Sequence, residues 1–270
     1  MNFTCLLPVC EGDDSEHLRQ ALCSIATNSV RPDHVFICED GPLTATQSEI
    51  IECFSQSCST IRLRNPGPRG LHTNLNHALG LVRTDWFCRA DADDINLYDR
   101  FERQTEFIGD NSDIDVLGAN TLEFWPDGRS RLKAVPLEHR DLVRWAYFRN
   151  PVNHSTAFAR TNAVLSCGGY PRINKREDYG LWLKMMAAGF KFHNLKETLV
   201  KFRLGTSYYR RRAGLDGLAP EYALFRLKMA GGLVPLPVAA LSFVARAVAL
   251  GLTPAMAAAI YPRLRRRAAA

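Results

Sequence analysis

The sequence predicts an α/β protein with a mostly parallel central sheet and helices on both faces. Three observations lead there. Short apolar runs closed by turn residues alternate with segments of helical periodicity, the connections between them are short, and acidic residues stand just past the ends of three of the runs. Parallel neighbours require a crossover, which a helix supplies. Ligands of such sheets sit beyond the carboxyl ends of the strands, where loops from separate crossovers converge.

Phe3–Val9 is an apolar run that gives way to polar residues and reads as the first strand. Asp14-Ser15-Glu16 then offers an N-cap, with Leu18, Leu22, Ile25 and Ala26 at helical spacing behind it. His34–Cys38 is a second strand ending at Glu39-Asp40-Gly41, after which Thr44 or Thr46 opens a helix through Ile50, Ile51 and Phe54. Ile61-Arg62-Leu63 alternates like a third strand, and Gly70–Val82 gathers Leu71, Leu75, Ala78, Leu79 and Val82 into a helix. Trp86–Ala90 is a fourth strand ending at Asp91. The second half is less regular: a helix over Asp99–Ile108, a strand over Val116–Thr121, a helix over Asp141–Phe148, a strand over Ser155–Arg160, a helix over Glu177–Ala188 and a closing strand over Leu199–Phe202.

The chain has 270 residues, 46% hydrophobic and 23% charged, enough for one main catalytic-sized domain plus an appendage; disorder, collagen and coiled coil are excluded. The net charge of +6 hides an asymmetry, because residues 1–200 carry 22 Lys+Arg against 26 Asp+Glu while residues 201–270 carry 12 against 2. A basic excess confined to the C-terminus points to an anionic surface such as a membrane before it points to nucleic acid, with a solvated basic tail as the plainer reading. The eight cysteines show no C-x-x-C spacing, and the N-terminus has no basic region or cleavage site ahead of its apolar run. They read as reduced thiols of a cytosolic protein.

Glu11 follows the first strand, Asp40 the second, and Asp91, Asp93 and Asp94 the fourth, so three loops bring carboxylates to one rim. Three carboxylates in four residues repel one another unless a cation or donors neutralise them, and Mg²⁺ or Mn²⁺ takes oxygen ligands of this kind. An acidic turn in which Asp94 or Asn96 caps the next helix is the simpler alternative. Glu177-Asp178 opens a helix, where the macrodipole favours carboxylates whatever their use; beside Tyr179 and Trp182, a carboxylate there can also act as a general base. Asn150-Pro151-Val152-Asn153-His154-Ser155-Thr156 sets a histidine ahead of a strand, which turn chemistry explains as readily as function does. Tyr208-Tyr209-Arg210-Arg211-Arg212 fits a diphosphate clamp or an anionic lipid surface.

Taken in order, Leu7-Pro8-Val9, Glu11, Glu39-Asp40-Gly41, Leu75-Asn76-x-Ala78-Leu79-Gly80, Asp91-x-Asp93-Asp94, Asn150-Pro-x-x-His154, Gly168-Gly169-Tyr170 and Glu177-Asp178-Tyr179-x-Leu181-Trp182 resemble the family 2 glycosyltransferases of the GT-A fold. The likeness is nearest to the branch that builds bacterial exopolysaccharide, capsule and O-antigen units, including amylovoran-type enzymes, and covers roughly residues 2–212. It implies a GT-A domain over 1–212, with a nucleotide-sugar half over about 1–98 and an acceptor and catalytic half over about 99–212, followed by a basic, apolar helical segment over 213–270.

The resemblance also implies roles. Pro8, Val9 and Glu11 line the base and ribose pocket, Asp40 binds the uracil edge, and Asn76 and Ala92 belong to the same nucleotide-sugar surface. Asp91 contacts ribose or sugar, and Asp93 holds the metal on the diphosphate, with Asp91 and His154 as further metal candidates. Asp178 is the general base with Glu177 beside it, and His154, Trp182, Arg210 and Arg211 face the diphosphate or the acceptor. Cys10 departs from the Tyr or Arg that the family often carries there, and Asp13-Asp14 from a more neutral loop.

The implied activity is inverting, metal-dependent transfer from a UDP-sugar to a hydroxyl of a saccharide, carried on a polyprenyl diphosphate, in bacterial surface polysaccharide synthesis. Mg²⁺ or Mn²⁺ is the implied cofactor, and nucleic acid is not among the partners. A metal on the leaving diphosphate and a base on the attacking hydroxyl suffice for one displacement, which inverts the anomeric centre. The rivals fit less well. A haloacid-dehalogenase-type phosphatase expects Thr or Val where Ile95 stands, a non-catalytic nucleotide-sugar-binding module predicts a missing carboxylate, and no G-x-G-x-x-G or P-loop supports a dinucleotide or NTP enzyme.

Leu233–Tyr261 is apolar apart from Arg246 and small polar residues, and Pro235, Pro237 and Pro254 interrupt it. Leu236–Leu252 gives 17 residues with Arg246 inside, short of the about 20 that a spanning helix needs. The expectation is two shorter helices at the membrane interface, with Arg210–Arg212 and Arg263–Arg267 reaching lipid phosphates; a helix pair packed on the catalytic body is the alternative. The protein is expected in the cytoplasm, peripheral on the inner face of the cell membrane.

Overall fold

The computed structural model describes residues 1–205 and 217–251. Its first part follows the predicted order: β1 (Phe3–Val9), α1 (Ser15–Ala26), β2 (His34–Glu39), α2 (Ala45–Ser55), β3 (Thr60–Arg64), α3 (Leu71–Leu81) and β4 (Trp86–Arg89). Local chemistry sets the helix starts. The Asp14 carboxylate caps α1 by accepting from the His17 N–H at 2.9 Å, and Thr44 and Gln47 form a reciprocal capping box on α2. Strands β3, β2, β1 and β4 lie side by side in that order, all parallel.

Because side chains alternate along each strand, the sheet builds two cores. Cys5, Leu7, Val9, Val35 and Ile37 face α1 and α2 through Leu18, Leu22, Ile25 and Ile51. Leu6, Phe36, Cys38 and Phe87 face α3 through Leu75, Ala78 and Leu79. Helices therefore cover both faces, and the strand ends stay open at the carboxyl rim.

The second part contains β5 (Ile95–Asn96), α4 (Arg100–Asp110), β6 (Val116–Phe124), β7 (Ser130–Lys133), α5 (His139–Trp145), a 3₁₀ turn (His154–Thr156), β8 (Phe158–Arg160), α6 (Thr161–Ser166), α7 (Glu177–Ala187), β9 (Phe192–Arg203), α8 (Leu218–Ala230) and α9 (Leu236–Leu250). β8 is antiparallel to both β4 and β6 and so joins the halves into one sheet. β6 and β9 run parallel, while β7 and β5 add antiparallel edges.

The strand expected over Ser155–Arg160 is shorter. Ser155 and Thr156 belong to the 3₁₀ turn, where the Thr156 hydroxyl accepts from the Ala119 N–H at 2.9 Å and donates to the Asn153 carbonyl at 2.8 Å. β9 starts at Phe192, well before Leu199, because register shifts around Asn120 of β6 break the alternation that would have marked it.

Helices α8 and α9 pack on the body; of the helix pair expected within Leu233–Tyr261, only α9 lies among the described residues. Lys228 of α8 donates to the Tyr147 carbonyl at 2.7 Å and to the Ser242 hydroxyl of α9 at 3.0 Å. Glu221 of α8 receives Arg176 and Arg246, each at 3.0 Å. Gly180 of α7 makes room for the packing, since a Cβ there would stand 2.7 Å from Pro171 and 3.3 Å from Leu227 of α8. No helix among the described residues is long and apolar enough to cross a membrane. The expected boundary near residue 212 lies outside the described residues.

Candidate active site

The site starts at the end of β4. Arg89 is fully buried in that strand, and a buried guanidinium persists only with its N–H groups matched. It donates to the carbonyls of Leu6 at 3.0 Å and Ala90 at 2.6 Å, to the Asp91 carboxylate, and to Nε2 of His154 at 3.3 Å. The arginine thereby fixes Asp91 at the rim.

Asp94 turns inward. It is 2% exposed, and one of its oxygens accepts from the Arg203 N–H at 3.0 Å. Burial, with Asp91 and Asp93 adding like charge, pushes its pKa well above the usual carboxylate range. Arg203 also ties the loop down by donating to the Asp93 carbonyl at 3.0 Å and to Gln20 of α1 at 2.7 Å. Asp91 and Asp93 remain half-buried at the rim, whereas Ala92 points into the core beneath them. Two carboxylates on one short loop are a donor set that a hard divalent ion accepts, completed by phosphate and water oxygens. Among the described residues no group of three His, Cys, Asp or Glu side chains holds a metal unaided.

The nucleotide side is organised by backbone contacts. Asp40 N–H donates to the Val9 carbonyl at 2.8 Å, and the Asp40 carboxylate accepts from the Arg69 N–H at 2.7 Å and the Gly70 N–H at 3.3 Å. It thus ties the loop before α3 to the end of β2. Gln47, fully buried, holds the loop after β1 by donating to the carbonyls of Cys10, Glu11 and Asp13. Glu11 is exposed on that loop and Pro8 is half-buried, but the Val9 side chain lies in the core, so only its backbone reaches the rim.

Three assignments need correction. Asn76 does not face the rim: its amide accepts from the Tyr170 N–H at 2.8 Å and donates to the Tyr170 carbonyl at 2.9 Å. A Cβ on Gly169, whose φ is 66°, would collide with it, so this pair locks the Gly168-Gly169-Tyr170 turn. Trp182 is 0% exposed and packs edge-on against Phe192, so it supports the site from the core and cannot touch a diphosphate or acceptor. The His154 Nε2 is engaged by Arg89 and, at 3.0 Å, by the Tyr170 hydroxyl. Burial and the Arg89 charge hold its pKa well below the ordinary value, so the ring is neutral and Nε2 is not free for a metal or a phosphate. Arg210 and Arg211 lie outside the described residues.

The second set of carboxylates stands at the start of α7. Asp178 accepts from the Asn150 side-chain amide at 2.5 Å and from the Tyr179 N–H at 2.7 Å, and burial raises its pKa. Tyr179 anchors the helix by donating its hydroxyl to the Ala146 carbonyl at 2.7 Å. Burial, with Asp178 as the next cause, pushes Glu177 up to about 7. A carboxyl with a raised folded pKa penalises the fold above that pKa and is relieved as pH falls toward the unfolded value. Glu177→Gln is therefore expected to raise the melting temperature at pH 8 and to lose that advantage by pH 4.5, measured by thermal unfolding at both pH values.

Arg89, Arg203 and Gln47 are residues to which the sequence assigned no role, and Asn150 entered only as part of a turn motif. The available signal was Arg89 itself, a charge inside an otherwise apolar strand.

The glycosyl transferase family 2 model matches residues 4–179, from β1 through the first turn of α7. This chain belongs to glycosyltransferase family 2. As a member of that family it is 30% identical over 228 residues to the amylovoran biosynthesis glycosyltransferase AmsE of Erwinia amylovora, covering 84% of this chain and 86% of the relative. It is 31% identical over 228 residues to the UDP-Gal:alpha-D-GlcNAc-diphosphoundecaprenol beta-1,3-galactosyltransferase of Escherichia coli, covering 84% of this chain and 81% of the relative. The fold is GT-A, shared with TarS residues 1–349 of S. aureus solved with UDP-GlcNAc, at a TM-score of 0.70 and 16% identity over 91% of this chain and 72% of that one. The family 2 enzyme is thus a sugar transferase, and its matched region contains both carboxylate sets.

Proposed function

We propose that this glycosyltransferase moves a sugar from a UDP-sugar, with inversion, to a hydroxyl of a saccharide carried on a polyprenyl diphosphate, in the synthesis of a bacterial surface polysaccharide. The observation that carries it is the arrangement around Arg89. Its guanidinium fixes Asp91 on one side and the His154–Tyr170 pair on the other, with Asp91 and Asp93 half-buried at the β4 rim and the buried Glu177 beside the half-buried Asp178 at the start of α7. The name of the E. coli relative specifies a UDP-sugar donor and a diphosphoundecaprenol-linked acceptor, and TarS accommodates UDP-GlcNAc on the same fold.

Asp93, assisted by Asp91, would hold Mg²⁺ or Mn²⁺; the ion supplies charge neutralisation for the departing diphosphate. Asp40, whose carboxylate ties the Arg69–Gly70 backbone to the end of β2, would offer an acceptor to the N–H of uracil. Asp178 takes the proton of the attacking hydroxyl. Its raised pKa makes it a stronger base than an exposed carboxylate, while the Asn150 amide holds the carboxylate in place. Incubation with a panel of nucleotide sugars and a divalent ion, following release of nucleoside diphosphate, tests the reading. UDP-sugars should be consumed, and preferred turnover of a GDP- or CMP-sugar would overturn the donor assignment.

The outer face of α9 supports a membrane setting for the reaction. Leu241, Val244 and Val248 are 61%, 55% and 64% exposed, a stripe at helical spacing that suits the lipid interface, in a C-terminal region rich in arginine. This reading gives a cytoplasmic protein, peripheral on the inner membrane face. It should sediment with vesicles containing anionic lipid and be released by high salt; equal binding to neutral vesicles would show that the basic residues are not the anchor.

A further inference from the structure

Beside the second carboxylate set lies a cavity of about 660 Å³, within the roughly 300–1,000 Å³ of ligand pockets. Three elements wall it: the start of α3, the turn that precedes α7, and the first turns of α8. Arg69, His72, Arg172 and Lys175 line it, with Glu177 at the edge it shares with the catalytic helix and Ala223 on the α8 side. Its character is opposite to that of the β4 rim. The rim presents carboxylates, which receive a diphosphate only through a metal ion; the cavity presents cations, which receive a diphosphate directly.

Two further observations point to a ligand. Lys175 has φ 60°, the only positive φ of a non-glycine residue among the described residues, and a side chain held in this unfavourable region is typical of ligand clamps. Next to Ala223, Tyr222 of α8 is exposed and stacks with Phe225, and both meet Phe243 of α9 at 6.2 and 5.7 Å. An apolar aromatic surface therefore begins one residue from the wall of a cationic cavity.

We infer that this cavity binds the diphosphate of the acceptor, with its isoprenoid chain leaving over the Tyr222, Phe225 and Phe243 surface and its sugar hydroxyl presented to the Glu177-Asp178 end of α7. The inference rests on the reading that the acceptor is diphosphate-linked, and it gives that acceptor a site of its own. Donor and acceptor diphosphates are then told apart by charge, one bound through carboxylates and a metal, the other through arginine and lysine.

Calorimetry on the full chain saturated with UDP and Mg²⁺ tests it, with methylenediphosphonate and farnesyl diphosphate as probes. Both should bind with one further site, farnesyl diphosphate more tightly. Arg172→Ala/Lys175→Ala should weaken that site at least tenfold while leaving UDP affinity unchanged. Unaltered probe binding by the double variant would overturn the inference, and a parallel loss of UDP affinity would assign the cavity to the donor instead. Equal affinity for the two probes would remove the lipid chain and leave a site for free diphosphate. Transfer assays separate the two readings: if the variant loses the probe site while the unaltered enzyme uses only sugars without a diphosphate, the acceptor assignment fails and the anion site stands.

Discussion

Asp93→Ala is expected to abolish sugar transfer, with kcat falling by about 10³ or more, and to make the affinity for UDP independent of divalent ions. The loss follows from the arrangement of the loop after β4. Asp94 is turned into the core against the Arg203 N–H, and Asp91 is bound to Arg89. Asp93 stands half-buried at the rim between them. On the proposed reading, removing it takes away the ligand that would hold a divalent ion on the leaving diphosphate. Asp94→Asn should behave differently, because its carboxyl is already driven toward the neutral form by burial, and a neutral isostere keeps the loop folded. UDP titrations with and without EDTA make the comparison, and undiminished transfer by wild type in EDTA would remove the metal from the reaction.

The acidic rim is legible in the sequence because its elements obey local rules. β1, β2 and β4 are apolar runs that end at polar residues, and α1 and α2 carry their own caps, so strand ends and the carboxylates after them can be placed by pattern alone. The interior of the site is not legible. Asn76, His154 and Trp182 have chemistry suited to a ligand, and only packing shows that each faces a neighbour: Asn76 the Tyr170 backbone, His154 the Arg89 and Tyr170 side chains, Trp182 the ring of Phe192. Polarity says that a side chain needs a partner and is silent about whether the partner is substrate or protein. Arg89 shows the converse, since an arginine in a strand reads as an edge or an interruption until four acceptors close around it. Short elements escape for another reason. β5 and β7 span two and four residues; β5 exists because β9 supplies a partner strand far away in sequence, and β7 because it folds back on β6.

Asp178→Asn is expected to leave UDP-sugar binding intact and to lower kcat by about 10²–10⁴, the usual contribution of a positioned base. The substitution preserves shape, and the amide oxygen can still accept from the Tyr179 N–H, while the Asn150 amide, which donates to the other carboxylate oxygen, loses its acceptor. What disappears is basicity. Wild type should show an acid limb in kcat above the ordinary carboxylate range, because burial raises the pKa of Asp178, and activity requires the deprotonated form as pH rises through that value. The neighbouring Glu177, pushed up to about 7, shares the titration, so the limb belongs to the pair. In Glu177→Gln the like charge beside Asp178 is gone, its pKa falls, and the limb should move to lower pH with most of kcat retained. In Asp178→Asn the rate lost should not be recovered at any pH. Collapse of donor affinity in Asp178→Asn would make the residue structural, and a larger loss of kcat in Glu177→Gln than in Asp178→Asn would transfer the base to Glu177.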